Sequence, residues 1–183
     1  MGRRFGIVLG LAVAVLGSAP AKAQIAFYGE ATGATLQFPN AAHVYGGTFG
    51  FYDVKRAGPV TVGADFRGAL LKRGSSQGIY NDTALDFGQF GVRVAAAPGV
   101  IPMLHSLMPY GEAMFGLGYW RGGVGVTRQD KDHALFQAIV GADYAIKPRV
   151  HWRVVEFSYG RAGAQPGFIN PMTLSTGIVL QLP

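Results

Sequence analysis

The carboxyl-terminal stretch from Leu135 to Leu182 reads LFQAIVGADYAIKPRVHWRVVEFSYGRAGAQPGFINPMTLSTGIVLQL. It contains three segments in which apolar residues alternate with polar or small ones, namely Phe136–Ile146, Val150–Gly160 and Met172–Leu182. In the third segment, the even-numbered positions from Leu174 to Leu182 form a largely apolar set, and the odd-numbered positions form a more polar one. A period of two residues is typical of a β-strand with one apolar face. The stretch therefore predicts three consecutive strands.

The same alternation recurs along the rest of the chain and predicts eight strands in all. They are Ile25–Leu36, Val44–Val54, Val60–Leu71, Asp86–Ala96, Met108–Trp120, Phe136–Ile146, Val150–Gly160 and Met172–Leu182. Most approach the length that a strand needs to cross a bilayer at a tilt of about 45°. The sequence thus predicts an all-β fold, an eight-stranded antiparallel up-and-down transmembrane β-barrel.

The connections between these strands fall into two classes. One class is mostly short or rich in Pro and Gly, and comprises Lys55–Pro59, Ala97–Leu107 and Lys147–Arg149. The other is generally longer and more polar, and comprises Gln37–His43, Lys72–Leu85, Arg121–Leu135 and Arg161–Pro171. Outer-membrane barrels have short periplasmic turns and long outer loops. We therefore expect the second class to lie outside the cell.

Composition narrows the class of protein further. The 28 glycines argue against a helical domain. After Leu16 no apolar run is long enough for a transmembrane helix, so a membrane-spanning mature chain would have to close its sheet into a barrel. The chain has no cysteine, which excludes a disulfide framework and thiolate metal sites. No cofactor is expected.

The first 23 residues have the pattern of a secretory signal peptide. Arg3 and Arg4 precede the apolar run Phe5–Leu16, and Ala21 and Ala23 form a small-x-small cleavage site before Gln24. We expect residues 1–23 to be removed and residues 24–183 to form the barrel domain. Loss of Arg3, Arg4 and Lys22 lowers the net charge from +6 to +3, which is too small to suggest a nucleic-acid partner.

Two observations predict that the apolar set faces outward. Glycine recurs in the polar set, as a crowded interior requires, at Gly63, Gly91, Gly116, Gly118, Gly141 and Gly177. Aromatic residues lie near the predicted strand ends, as in the two interfacial girdles of a membrane barrel. The loop-side girdle would contain Tyr45, Tyr119 and Phe136, and the turn-side girdle Phe51, Tyr144 and Trp152. A soluble barrel would show the same alternation with the apolar set inside.

The inward set would then carry eight charged residues. They are Glu30, Asp65, Arg67, Arg93, Glu112, Asp143, Arg153 and Glu156. Isolated charges in a narrow barrel are strongly disfavoured, so we expect the acids and arginines to form a polar network that plugs the interior. For both Arg153 and Glu156 to face inward, the seventh strand needs a β-bulge near Val154–Val155.

Sequence signals for catalysis are weak. The histidines are His43, His105, His133 and His151, and no Gly-x-Ser-x-Gly or metal-type His-x-x-x-His spacing occurs. Because neighbouring strand residues face opposite sides, His105 and Ser106 are poorly placed to act as a base and a nucleophile. We expect no catalytic residue and no metal site.

The end of the chain resembles a known assembly signal. The segment from Thr176 to Leu182 follows the pattern polar–Gly–x–x–hydrophobic–x–hydrophobic, with Thr176, Gly177, Leu180 and Leu182 at the defining positions. It is similar to the C-terminal signal of bacterial outer-membrane barrels, with Leu182 in place of the usual aromatic residue. Together with the strand count, it makes the chain resemble the small outer-membrane barrel family typified by OmpA and OmpX, in the barrel-only form.

This resemblance implies a role in the envelope of a Gram-negative bacterium. The expected function is structural or adhesive, with outer-membrane lipids and lipopolysaccharide as neighbours and the barrel-assembly machinery as a partner during insertion. The long loops would bind any surface ligand. Two alternatives remain open. One is a lipid-modifying barrel enzyme, and the other is a secreted soluble β-barrel that binds a small apolar ligand.

Overall fold

A computed structural model describes residues 24–37, 42–73, 83–100, 105–124, 127–163 and 169–182, with only the backbone described for residue 42 and residues 122–131. It contains eight strands, all antiparallel to their neighbours, in a closed barrel with the order β1 to β8. The strands are β1 (Gln24–Gln37), β2 (Ala42–Ala57), β3 (Val60–Lys72), β4 (Ala84–Ala96), β5 (Leu107–Val124), β6 (Thr127–Lys147), β7 (Val150–Ala162) and β8 (Asn170–Gln181). The eight-stranded antiparallel barrel predicted from the sequence is confirmed.

Closure joins the first strand to the last. Phe27 of β1 is paired with Leu180 of β8, and Leu36 with Pro171, so no strand in the barrel is left as an open edge.

No helix in the described part of the chain is long and apolar enough to cross a membrane.

The alternating pattern sorts the side chains as predicted. On β6, Ile139 is 1% exposed, while its neighbour Val140 is 59% exposed. On β8, Thr173 and Ser175 are buried inside, while Leu174 between them is exposed. The apolar set therefore lies on the outer surface and the polar set in the interior, which is the reverse of a soluble barrel.

The hairpin of β5 and β6 differs from the prediction. The segment Arg121–Leu135 was expected to be a polar loop, but β5 runs to Val124 and β6 begins at Thr127, with paired residues from Arg121–Asp130 to Val124–Thr127. Backbone hydrogen bonds extend the hairpin whether or not the side chains alternate in polarity. The apolar pattern ends earlier because it reports only where one face is apolar.

The turns are also tighter than expected on one side. The connection Lys55–Pro59 shrinks to Gly58–Pro59, because β2 continues to Ala57. After β4, the Ala97 carbonyl accepts a hydrogen bond from the Val100 amide at 3.3 Å, with Pro98 and Gly99 between them. Gly99 has a φ of 79°, which is the conformation that the third position of a type II turn requires.

Phenylalanines form an oblique row on the outer surface. Six of them are directly paired from strand to strand, namely Phe27, Phe51, Phe66, Phe90, Phe115 and Phe136. Ring centroids are 5.0 Å apart for Phe51 and Phe66, and 6.2 Å apart for Phe90 and Phe115. Because barrel strands are tilted by about 40°, such a row climbs across the barrel wall. Phe136 lies near the middle of the 21-residue β6. Its predicted place in the loop-side girdle is therefore wrong.

Candidate functional site

The eight charged residues predicted for the interior all lie there. Each is at most 6% exposed. They come from six strands, β1, β3, β4, β5, β6 and β7, and their side chains meet because the alternation turns all of them inward.

Arg67 and Arg93 share one carboxylate. Arg67 Nη2 donates to Glu112 Oε2 at 3.0 Å, and Arg93 Nη1 donates to Glu112 Oε1 at 2.5 Å. Each oxygen of Glu112 thus has its own guanidinium partner. The second terminal nitrogen of Arg93, Nη2, donates to Asp143 Oδ2 at 2.7 Å, which extends the chain of ion pairs to β6.

Arg153 and Glu156 close this chain into a ring. Arg153 Nε donates to Asp143 Oδ1 at 2.9 Å, and its Nη1 donates to Glu156 Oε2 at 3.1 Å. Glu156 in turn accepts two hydrogen bonds from Arg67, at 2.5 and 3.0 Å. The ion-pair ring is therefore an alternating cycle of Arg67, Glu112, Arg93, Asp143, Arg153 and Glu156. Three cations and three anions balance within it.

The other two acids are attached to this ring from the side. Glu30 Oε1 accepts a hydrogen bond from Arg153 Nη1. Asp65 instead accepts a hydrogen bond from the Tyr28 hydroxyl at 2.8 Å, and that hydroxyl accepts one from Arg67 Nε at 3.1 Å. Tyr28 thereby connects Asp65 to the ion-pair ring.

Tyrosine rings cover the guanidinium groups. The Arg93 guanidinium lies 3.5 Å from the ring centroid of Tyr110 and 4.5 Å from that of Tyr52. The Arg153 guanidinium lies 4.4 Å from Tyr28 and 4.9 Å from Tyr110. Cation–π attraction of this kind is stronger where water is excluded. The Tyr110 hydroxyl also donates to Glu156 Oε2 at 2.7 Å.

These tyrosines were not identified from the sequence, although a signal for them exists. Tyr28 is paired with Gly50, and Tyr110 with Gly141. A methyl group added to Gly141 would lie 2.5 Å from the Tyr110 ring, so the glycine provides the space in which the ring lies. An inward aromatic residue opposite an inward glycine is the pattern that would have found Tyr28 and Tyr110, whereas Tyr52 is paired with Ala26 and Asp65 and lacks this signal.

The predicted β-bulge is confirmed in β7. On β8, Gly177 is paired with Arg153 and Ser175 with Glu156, so β7 uses one more residue than its partner over this interval. The register with β6 shifts at the same place, between Ala142 and Asp143. The extra residue allows Arg153 and Glu156 to share the interior, as the ion-pair ring requires.

A layer of uncharged hydrogen bonds lies next to the ring on the loop side. Thr32 Oγ1 lies 2.8 Å from Thr48 Oγ1 and 2.9 Å from Ser175 Oγ, which joins β1, β2 and β8. Ser158 Oγ lies 2.6 Å from Thr173 Oγ1 and connects β7 to β8.

Beyond this layer the loop-side end of the interior is apolar. A cluster of buried side chains fills it and includes Leu36, Val44, Leu71, Leu85, Phe87, Leu135 and Ile169. We call this cluster the apolar layer. At the opposite, turn-side end the interior contains a cavity of about 300 Å³, with Arg93, Asp143 and Tyr52 among its lining residues.

The assembly-signal residues lie on β8 and directly after it. Gly177 faces inward beside Glu30, whereas Leu180 and Leu182 are exposed on the outer surface. Thr176 Oγ1 donates to the carbonyl of Arg153 at 2.9 Å, next to the bulge, and accepts a hydrogen bond from Trp152 Nε1 at 3.1 Å. The cleavage-site residues Ala21 and Ala23 lie outside the described residues.

His105 and His151 both lie at the turn-side end, whereas His43 lies near the loop side. His43 Nδ1 lies 3.1 Å from Thr35 Oγ1 near the loop side, and His151 Nδ1 lies 3.4 Å from Gln181 Nε2 at the turn side. His105 and Ser106 occupy the turn before β5. The described residues contain no group of three or more His, Asp or Glu side chains arranged to hold a metal ion.

Solved structures with the same fold include two bacterial proteins. Neisserial surface protein A aligns with a TM-score of 0.60 and 14% sequence identity, over 86% of this chain and 97% of that one. Ail, the attachment invasion locus protein of Yersinia pestis, solved with the heparin analogue sucrose octasulfate, aligns with a TM-score of 0.58 and 10% identity, over 88% of this chain and all of that one. No family model and no curated protein matches the sequence.

Proposed function

We propose that this chain is a non-enzymatic outer-membrane barrel that supports the cell envelope or presents its loops for adhesion, with its interior plugged by the ion-pair ring. The observation that carries the proposal is the inverted polarity of the barrel. Three arginines and five acids are buried inside, while large apolar side chains such as Leu117 and Leu174 are about 60% exposed outside. An apolar outer surface of this kind is favourable in the hydrocarbon core of a bilayer and unfavourable in water.

The extent of the apolar surface favours a lipid environment over contact with a protein partner. Exposed apolar side chains occur on every strand, from Phe27 on β1 to Leu180 on β8. A patch of a few hundred Å² already marks an interaction site on a soluble protein. A band that surrounds the whole barrel fits a lipid environment better than any single partner.

The filled interior supports a structural role over diffusion of solutes. Eight strands leave a lumen that side chains can fill. Here the ion-pair ring crosses the lumen, and the apolar layer fills the end nearest the loops. Two layers of different chemistry would thus oppose the passage of ions and of apolar solutes.

The relatives in fold support a role at the cell surface. One is named as a surface protein and the other as an attachment invasion protein. Among the described strands, β5 and β6 are the longest, with 18 and 21 residues. With the longer connections outside, the hairpin of these two strands would face the surroundings, near lipopolysaccharide and any surface ligand.

Fractionation of a Gram-negative host that expresses the full chain tests this proposal. The outer-membrane fraction is run on SDS gels with and without boiling, because a closed barrel resists SDS and migrates differently until it is boiled. We expect the protein in that fraction with a heat-dependent mobility. A product that is soluble without detergent and shows no shift would overturn the proposal.

A further inference from the structure

The two ends of the barrel interior differ in chemistry. The loop-side end is filled by the apolar layer. The turn-side end contains the cavity of about 300 Å³, and residues from all eight strands line it. Val54 and Ala95, which belong to two smaller buried apolar clusters, also line it, but these clusters do not fill it. A cavity retained at one end points to an occupant.

The wall of this cavity carries hydrogen-bonding side chains. Gln24, Thr61, Gln181 and His151 contribute to it, and His105 lies at its rim in the turn before β5. Its lining also includes Arg93 and Asp143, which are already paired with each other in the ion-pair ring. The cavity is therefore a blind pocket, closed on the inside by the ring and open toward the turns.

Basic residues flank the mouth of this pocket on two opposite sides. Lys55 and Arg56 lie at the β2–β3 turn, and Lys147 and Arg149 lie at the β6–β7 turn, which is four strands away in a barrel of eight. All four are exposed. The described residues 54–64, 94–100, 105–111 and 144–155, at the turns and the adjoining strand ends, contain no Asp or Glu, and Asp53 lies just before the first of these ranges. The mouth thus has a positive potential that attracts anions.

We propose that this turn-side pocket binds an acidic peptide. Carboxylates of the peptide would pair with the two basic turns, and its backbone amides would hydrogen-bond to the glutamine, threonine and histidine side chains of the wall. A volume of about 300 Å³ is at the lower end for ligand pockets and suits one or two residues of such a peptide. The mouth opens along the barrel axis, away from the apolar outer surface, so a lipid would have to leave the bilayer to reach it.

Calorimetric titration of the purified full chain in detergent tests the pocket with two probes. They are the blocked dipeptide acetyl-Asp-Glu-amide and its neutral isostere acetyl-Asn-Gln-amide. We expect the acidic probe to bind about tenfold more tightly than the neutral one at low salt, with this difference reduced at high salt. Neutralising one basic turn, in Lys147→Gln/Arg149→Gln, should weaken binding of the acidic probe about fivefold.

Two further variants locate the site. Ala145→Leu places extra volume in the pocket wall and should abolish binding, whereas Lys72→Gln/Arg73→Gln changes two basic residues at the loop side and should leave it unchanged. Equal binding of both probes, no binding of either, or no effect of the turn-side variants would overturn the proposal. Displacement of the acidic probe by phosphatidylglycerol micelles would also overturn it, in favour of a lipid headgroup. Heat-dependent gel mobility of each variant separates loss of the pocket from failure of the barrel itself.

Discussion

Arg153 pairs with three acids, Glu30, Asp143 and Glu156, and is fully buried. Replacing it with Met would leave three carboxylates without this partner in the interior. Loss of one member of a buried ion pair typically costs about 3 kcal/mol or more. We therefore expect Arg153→Met to lower the free energy of unfolding by at least about that amount, measured by urea unfolding in lipid vesicles with tryptophan fluorescence.

Arg149→Gln serves as the control for this variant, because Arg149 is exposed at a turn. Exposed substitutions usually change stability by about 0.5 kcal/mol or less. Similar stability of the two variants would mean that the ion-pair ring does not hold the barrel together.

Substitution of Gly141 tests the contact between this glycine and Tyr110 in the barrel interior. The nearest atoms that a methyl group at this position would meet all belong to Tyr110. Gly141→Ala should therefore displace the Tyr110 ring from Arg93 and Glu156 and destabilise the barrel by about 2 kcal/mol. In a Tyr110→Ala background the same change should cost much less, because the obstructing ring is gone.

A double-mutant cycle on urea unfolding measures this coupling. Gly88→Ala is the matched control, since no atom lies within 4 Å of a methyl group placed there and the position is exposed. Additive effects of Gly141→Ala and Tyr110→Ala would show that the glycine has another role.

Individual residues also show what the sequence can and cannot predict about the site. Alternation predicts that Arg67 faces inward, because side chains on a strand have a period of two, and with the β-bulge in β7 it predicts the same for Glu156. It does not predict that they pair, since β3 and β7 are not neighbours and the contact depends on the width and shear of the closed barrel. For the same reason the closed ring could not be derived from eight inward charges.

The β-bulge allows β7, whose apolar alternation is interrupted, to pair with both of its neighbours in the barrel. Relative to both neighbours β7 has one extra residue between Arg153 and Glu156. Deletion of Val154 would restore a continuous register and leave both charged side chains inward. We expect this variant to fold, with heat-dependent gel mobility retained.

Deletion of Phe157 is the contrasting case, only three residues away. It removes a residue from a regularly paired part of β7, so every side chain on one side of the deletion turns to the opposite face. Loss of the heat-dependent mobility is expected for this variant alone. If both deletions behaved alike, the bulge would not be the feature that sets the register.

Strand ends were harder to predict than strand faces. The apolar alternation of β6 begins near Phe136, and yet the strand starts at Thr127. The sequence from Thr127 to Asp132 is polar at every position and carries no alternation, although its backbone is paired with that of β5. The sequence pattern thus reports the extent of the apolar surface and underestimates the length of the strands.

Along the barrel axis the interior forms successive layers. From the turns inward come the blind pocket and then the ion-pair ring, followed by the hydroxyl contacts of residues such as Thr32 and the apolar layer. Outside, apolar side chains cover the wall. The barrel thus buries eight charged side chains in its interior, where a soluble barrel has apolar ones.

Lipid exposure of the outer wall is the central claim, and the absence of native cysteine makes it directly measurable. A nitroxide label at Val140→Cys in reconstituted bilayers should collide with oxygen, which dissolves in lipid, and not with a water-soluble nickel chelate. A label at Lys147→Cys, at the exposed turn end of the same strand, should show the reverse preference. The adjacent Ile139→Cys thiol should react with the label only after unfolding in urea. Preferential collision of the Val140 label with the nickel chelate would contradict a membrane-facing apolar wall.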